Sequence, residues 1–219
     1  VHNSDGNKII ERYKALYTPV VCDILDQMGY RRQFLDYGLR PLDAKHRVYG
    51  FAFTMQAIES PEMPEFPYEK QFEGTDALSP GEVLVVAGAG TQTAFWGELF
   101  STRARSQGCV GAVIDGLCRD TAKVVGMGFN VFCRGAVPSD SYGRALVTDY
   151  RVPVNCGGVT VHPGDFVMGD GDGLVVVPKD VLLEVVERAE VKALTENKVR
   201  EELMAGASAQ EVYKKYGVM

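Results

Sequence analysis

VLVVAGAGTQTAFWGELFSTRARSQGCVGAVIDGLCRD, Val83–Asp120, is the stretch from which the fold can be read. The β-branched run VLVVAG, opened by Gly81-Glu82, reads as a strand, and Gly88 and Gly90 then read as a Gly-rich turn. Thr93–Gln107 has helical content, with Phe95, Leu99, Phe100 and Thr102 inward and Gly108 as the C-cap. Cys109–Asp115 is a nearly continuous apolar run, which suits a strand buried on both faces. Strand, turn, helix and strand make a βαβ unit, with Arg119-Asp120 on the loop leaving the second strand.

Outward from this unit the chain is punctuated clearly. Residues 7–17 place Ile9, Ile10, Tyr13, Leu16 and Tyr17 at helical spacing. Thr18-Pro19 reads as an N-cap with Pro at the first helical position, and VVCDILDQMG as a helix ending at Gly29. Asp23 and Asp26 fall on its solvated face. Arg47–Ser60 alternates as a strand, with Gly50 as a bulge. Residues 60–80 carry four prolines and read as loop, with a short helix near Tyr68–Leu78; such a segment is a lid over a site or a surface excursion. Thr121–Gly126 reads as a brief helix and Phe129–Cys133 as a strand. From Ala145, short strands are split at Gly157-Gly158, Pro163-Gly164-Asp165 and Asp172-Gly173, which predicts antiparallel hairpins. Asp180–Met204 and Ser208–Tyr216 are predicted helices. The expectation is one mixed α/β domain over 1–219: a βαβ core, then antiparallel hairpins, with helices at both ends, about 7–29 and about 180–216.

Composition narrows the function. The chain is 46% hydrophobic with a formal net charge of -6 and no long block of like charge. Nucleic acid is therefore not the expected ligand, because phosphate binding needs a basic stripe. No run approaches a membrane span, and VHNSDGNKIIERYK lacks an apolar signal segment, so a soluble cytoplasmic protein is the expectation. Five scattered cysteines without a CxxC pair predict buried reduced thiols. His2, His46 and His162 offer no i, i+4 pair for a zinc or di-iron site.

Two motifs are incomplete. VVAGAGTQT matches only two glycines of a dinucleotide fingerprint, with Thr93 where the third belongs. GDGDG at 169–173 lacks the rest of a calcium loop and reads as a tight hairpin. A third set is sharper. Glu98 lies early in the helix after the Gly-rich turn, and Arg119-Asp120 lies beyond the next strand. In a parallel βαβ unit, strand carboxyl ends and following helix N-termini share one sheet edge, so these residues can converge.

WGELFSTRARSQGCVGAVIDGLCRD, CRGAVPS and GGVTVHPGDFVMGDGDGLVVVP, taken in that order, resemble a known family. It contains the regulator of ribonuclease activity A and the class II 4-hydroxy-4-methyl-2-oxoglutarate/4-carboxy-4-hydroxy-2-oxoadipate aldolases. The resemblance implies an RraA-like swivelling β/β/α domain and a trimer or dimer of trimers with sites at subunit interfaces. It implies a pyruvate aldolase dependent on Mg²⁺ or Mn²⁺, with oxaloacetate decarboxylation as a second reaction. In that pattern Arg119 grips the substrate carboxylate and Asp120 ligates the metal. Glu98, in place of the more usual Asp, and Glu196 of a neighbouring copy act through metal-bound water, and backbone at Gly97, Leu99 and Phe100 binds the pyruvyl end. Lys123 stands where some relatives carry an acid. Two alternatives stay open: a protein-binding regulator of ribonuclease activity without catalysis, and a metal-dependent lyase or hydratase of a sugar-derived 2-oxo acid.

Overall fold

The computed structural model describes residues 4–219; His2 lies outside the described residues. Helices α1 (Ser4–Lys14) and α2 (Thr18–Gln27) precede β1 (Arg40–Pro41) and β2 (Val48–Glu59). Then come α3 (Glu69–Asp76), β3 (Glu82–Trp96), α4 (Glu98–Ser106), β4 (Gly111–Cys118), α5 (Thr121–Gly126) and β5 (Asn130–Ala136). Short strands follow: β6 (Ala145–Tyr150), β7 (Val154–Cys156), β8 (Val159–Val161), β9 (Phe166–Gly169) and β10 (Leu174–Val177). A 3-10 turn (Lys179–Val181), α6 (Leu182–Met204) and α7 (Ala209–Tyr216) end the chain.

The main sheet runs β1-β5-β4-β3-β2-β9-β10, with β6 also on β2, while β7 and β8 form a separate hairpin. β2, β3, β4 and β5 are parallel neighbours. The carboxyl ends of β3, β4 and β5 therefore fall on one edge, where the candidate site is described below. Antiparallel β9 and β10 extend the sheet beyond β2.

Alternation along the strands divides the core. Leu84, Val86 and Ile114 pack with Phe53, Met55 and Trp96 on one face. Val83, Val85 and Val113 pack with Val167 and Val176 on the other. Both faces are covered, which is why these strands read as unbroken apolar runs. A third cluster seats α1, α2 and α6 on β9 and β10 through Tyr13, Val20, Leu25 and Val185 against Phe166 and Met168.

The structure corrects several local expectations. β3 does not stop at its glycines: it continues to Trp96, and helix α4 begins at Glu98 rather than near Thr93. Gly88 and Gly90 have φ of +79° and +69° and set bulges in the strand. Between Val86 and Trp96 the β3–β4 register shifts three times, so β3 spends more residues than β4 over the same span. Leu99 is not inward but 76% exposed, and Thr102 is exposed as well. Thr18 is not the cap: Tyr17 is, and the Thr18 hydroxyl donates to buried Asp170 at 2.7 Å. Gly50 is no bulge; β2 is irregular at Gln56/Ala57, whereas a Cβ on Gly50 would sit 2.5 Å from the Gly81 carbonyl. The turn at 163–165 is no hairpin: it carries the chain from β8 in the small sheet to β9 in the main one. The hairpins at 157–158 and 170–173 and the short helix in the 60–80 segment agree with the sequence reading, as do the five unpaired cysteines, except that Cys22 is half-buried. Among the described residues no helix is long and apolar enough to cross a membrane.

Candidate active site

Three consecutive parallel strands deliver the site. β3 ends at Trp96, and its carbonyl accepts from the Arg119 N–H at 2.9 Å, so the ends of β3 and β4 are tied together. Gly97 follows Trp96 and lies close against the Arg-Asp pair. A Cβ there would stand 2.9 Å from Asp120 Oδ2 and 3.1 Å from Arg119 Cγ. The loop after β5 is drawn to the same edge: the Ala94 N–H donates to the Ser139 carbonyl at 3.3 Å, and Thr93 Oγ1 donates to the Asp140 carbonyl at 2.6 Å.

Side-chain contacts converge on Arg119. Its Nη1 lies 3.2 Å from Asp140 Oδ1, and its Nε is 3.8 Å from Asp120 Oδ2. The Tyr68 hydroxyl donates to the other Asp140 oxygen. Burial, then the bond to Asp140, pushes the Tyr68 phenol up to about 12, so it stays protonated and a donor at neutral pH. The Glu98 N–H donates to Asp120 Oδ2 at 3.3 Å, and Glu98 Oε1 accepts from Thr102 at 3.0 Å. Gly97 caps α4 without a side chain, so the first-turn amides of Leu99 and Phe100 remain for a ligand.

Tyr68 and Asp120 are two of three non-glycine residues with positive φ among those described, at 66° and 54°. Such conformations are uncommon outside glycine and concentrate at functional sites. Both residues line one cleft of about 340 Å³. Arg119, Asp120 and Asp140 form its polar end, and Tyr68, Phe72, Trp96, Leu99 and Phe100 its wall. Arg119 and Asp120 each keep 38% of their side-chain surface exposed, so neither is sealed in by its ion pairs.

Of the residues expected from sequence, Glu98, Arg119, Asp120, Gly97, Leu99 and Phe100 all border this cleft. Glu196 does not border it within the same chain. It sits on α6, accepts from the Tyr17 hydroxyl and lies 3.8 Å from Lys192, and burial raises its carboxyl above the usual range. Lys123 is exposed on α5. The structure adds Asp140 and Tyr68, which sequence reasoning misses; the available signal is Asp140's place in a Ser-Asp-Ser-Tyr loop just past the third parallel strand.

Known proteins share this chain's sequence pattern and fold. A "Putative 4-hydroxy-4-methyl-2-oxoglutarate aldolase" of Halalkalibacterium halodurans is 30% identical over 184 residues, 84% of this chain and 82% of its own. The crystal structure of RraAS2 of Streptomyces coelicolor, described as an unusual member of the RNase ES inhibitor RraA family, superposes with a TM-score of 0.82. It is 30% identical, covering 89% of this chain and 98% of that one. An uncharacterized protein of Pseudomonas syringae pv. tomato superposes with a TM-score of 0.85 at 26% identity, over 96% and 94% of the two chains. The model of the RraA-like family, Aldolase/RraA, matches residues 18–176, and the chain belongs to that family.

Proposed function

We propose that this chain is a divalent-metal-dependent carbon–carbon lyase that cleaves a 4-hydroxy-2-oxo acid to pyruvate, and that oxaloacetate loses CO₂ at the same site. One observation carries the reading: a guanidinium, a carboxylate and open helix amides border one cleft at the strand ends. The reading includes a trimer or dimer of trimers, in which Glu196 of a neighbouring copy reaches the site.

The donor set bears on which metal would fit. Among the described residues no three His, Cys, Asp or Glu side chains gather as a cage. A single hard carboxylate beside open space suits Mg²⁺ or Mn²⁺, which keep several waters, better than zinc. Asp120 would hold the ion directly, and Glu98 and the neighbour's Glu196 would orient its waters. When bound, the ion supplies Lewis-acid stabilisation of the negative charge that develops on the 2-oxo oxygen.

The chain's own residues do the rest. Arg119 binds the substrate carboxylate with its planar fork. Asp140 pairs with one arm of that fork, and the Tyr68 hydroxyl donates to Asp140. The Leu99 and Phe100 amides add donors at the pyruvyl end. Glu98 accepts the 4-hydroxyl proton through a water as the C3–C4 bond breaks. A regulator that only binds protein needs no such arrangement, which favours catalysis over that alternative.

Pyruvate release from oxaloacetate and from 4-hydroxy-4-methyl-2-oxoglutarate, coupled to lactate dehydrogenase, tests the reading. Turnover is expected with Mg²⁺ or Mn²⁺, with loss on chelation and recovery on adding metal back. No turnover of any 2-oxo acid with either metal would sink it. Asp140→Asn is expected to raise KM by about tenfold with a smaller change in kcat, because it loosens the fork that binds the carboxylate. An unchanged KM would remove Asp140 from the site.

A further inference from the structure

Asp140 is held at both its backbone and its side chain. Its carbonyl accepts from Thr93 Oγ1 at 2.6 Å and from Arg144 Nη1 at 2.9 Å, and a parallel bridge ties it to Ala94. One carboxylate oxygen takes the Tyr68 hydroxyl, and the other faces Arg119 Nη1 at 3.2 Å. The last torsion of an aspartate has no sharp minimum of its own, so the carboxylate plane is set by what its oxygens bond. With one oxygen on Tyr68, the second is presented in one direction. Arg119 has no comparable hold at its other nitrogen. Its Nε lies 3.8 Å from Asp120 Oδ2, beyond hydrogen-bond reach, and in the reading above Asp120 serves the metal. Asp140 is thus the carboxylate that sets the turn of the guanidinium plane.

Tyr68 is itself seated. It caps α3 at φ of 66°, a conformation that an L-residue keeps where its surroundings over-determine it. Its ring lies against Phe72 at 5.8 Å and against Phe100 and Tyr142 at 6.3 Å. The helix behind it is anchored on β3 and α4. Buried Gln71 donates its amide to the Phe95 carbonyl at 3.1 Å, and Asp76 takes Arg103 Nε on its carboxylate and the Gln107 amide on its carbonyl, each at 2.6 Å. All of these contacts are made within one chain and need nothing from a neighbouring copy. We infer that Tyr68 is a positioning residue: its hydroxyl orients Asp140, and Asp140 orients the guanidinium that binds the substrate carboxylate. The inference rests on the lyase reading and deepens it, by making the 60–80 segment part of the apparatus that grips the 2-oxo acid. Tyr68 touches neither substrate nor metal in this scheme. It acts on affinity for the carboxylate and not on the step that breaks the carbon–carbon bond.

Tyr68→Phe keeps the ring with its contacts and removes only the hydroxyl. On the full chain with Mg²⁺ it is expected to raise KM for oxaloacetate about fivefold, the scale of one hydrogen bond, with kcat changed less than about twofold and the thermal melt unmoved. Pyruvate, titrated by calorimetry with Mg²⁺, is expected to lose affinity by the same factor. In an Asp140→Ala background the hydroxyl has nothing to orient, so adding Tyr68→Phe is expected to change KM less than about twofold further. That non-additivity separates positioning through Asp140 from a general loosening of α3. With wild-type turnover in hand, three results each overturn the inference and spare the lyase. They are an unchanged KM in Tyr68→Phe, an equal rise in KM in both backgrounds, and a fall in kcat together with a lowered melting temperature. Pyruvate binding that weakens in Tyr68→Phe, in a protein that turns over no 2-oxo acid, removes the lyase and leaves Tyr68 positioning a carboxylate site. Wild-type protein that neither binds pyruvate nor turns over oxaloacetate overturns both.

Discussion

Arg119→Ala and Asp120→Asn are each expected to lower kcat/KM by at least about 10², or about 2.7 kcal/mol of transition-state stabilisation, with the fold intact. The two side chains do different work, and the variants separate it. Arg119 offers two parallel N–H donors to a carboxylate, so Arg119→Lys should recover only part of the loss, because a point charge cannot make the paired contact. Asp120 offers an oxygen, so Asn keeps the shape and removes the charge. Asn is also the better probe than Ala for a structural reason: residue 120 has φ of 54°, where Ala is strained by roughly 1–2 kcal/mol and Asn is tolerated. Neither change should unfold the protein. The Arg119–Asp140 pair is more than a third exposed, and such pairs contribute little to stability. Thermal melts together with pyruvate release at saturating Mg²⁺ check both points. Near-normal turnover in either variant would take the reaction away from this cleft.

Much of this arrangement is legible in the amino-acid sequence. Val83–Val86 and Gly111–Ile114 read as strands because both of their faces are buried, and burial on both sides leaves an unbroken apolar run. Parallel pairing then brings Glu98 and Arg119-Asp120 to one edge, although twenty residues separate the acid from the pair. The segment between Gly88 and Trp96 is where local pattern misleads. A turn and a bulged strand have the same glycines and the same positive φ. What distinguishes them here is pairing with β4 and with the 139–140 segment, partners at least twenty residues away. Leu99 follows from the same ambiguity: with α4 starting at Glu98, it falls in the first turn and faces the cleft opening. Asp140 and Tyr68 escape for a similar reason. Their meeting spans 72 residues, and no local pattern marks a hydrogen bond over that distance.

Gly97→Val is expected to lower kcat/KM by about 10² while leaving the unfolding transition cooperative, although residue 97 contacts no proposed substrate atom through a side chain. The backbone at 97 has φ of -156° and ψ of -166°, extended geometry that valine adopts readily, so the change introduces no backbone strain. The effect comes from volume. The new Cβ would stand 2.9 Å from Asp120 Oδ2 and 3.1 Å from Arg119 Cγ, and two further methyls would crowd the same space. Both neighbours are partly exposed side chains and can swing away, so the fold yields at the site and not in the core. The 3.3 Å bond from the Glu98 N–H to Asp120 is lost in that movement. A displacement of about 1 Å in a positioning group costs on the order of 10² in rate when geometry carries the catalysis. Gly97→Ala, with one carbon to accommodate, should fall between, at about tenfold. Steady-state kinetics of the two variants beside Arg119→Ala give the comparison. If valine at 97 leaves turnover at the wild-type level, the close packing of Gly97 against the Arg-Asp pair has no part in the reaction.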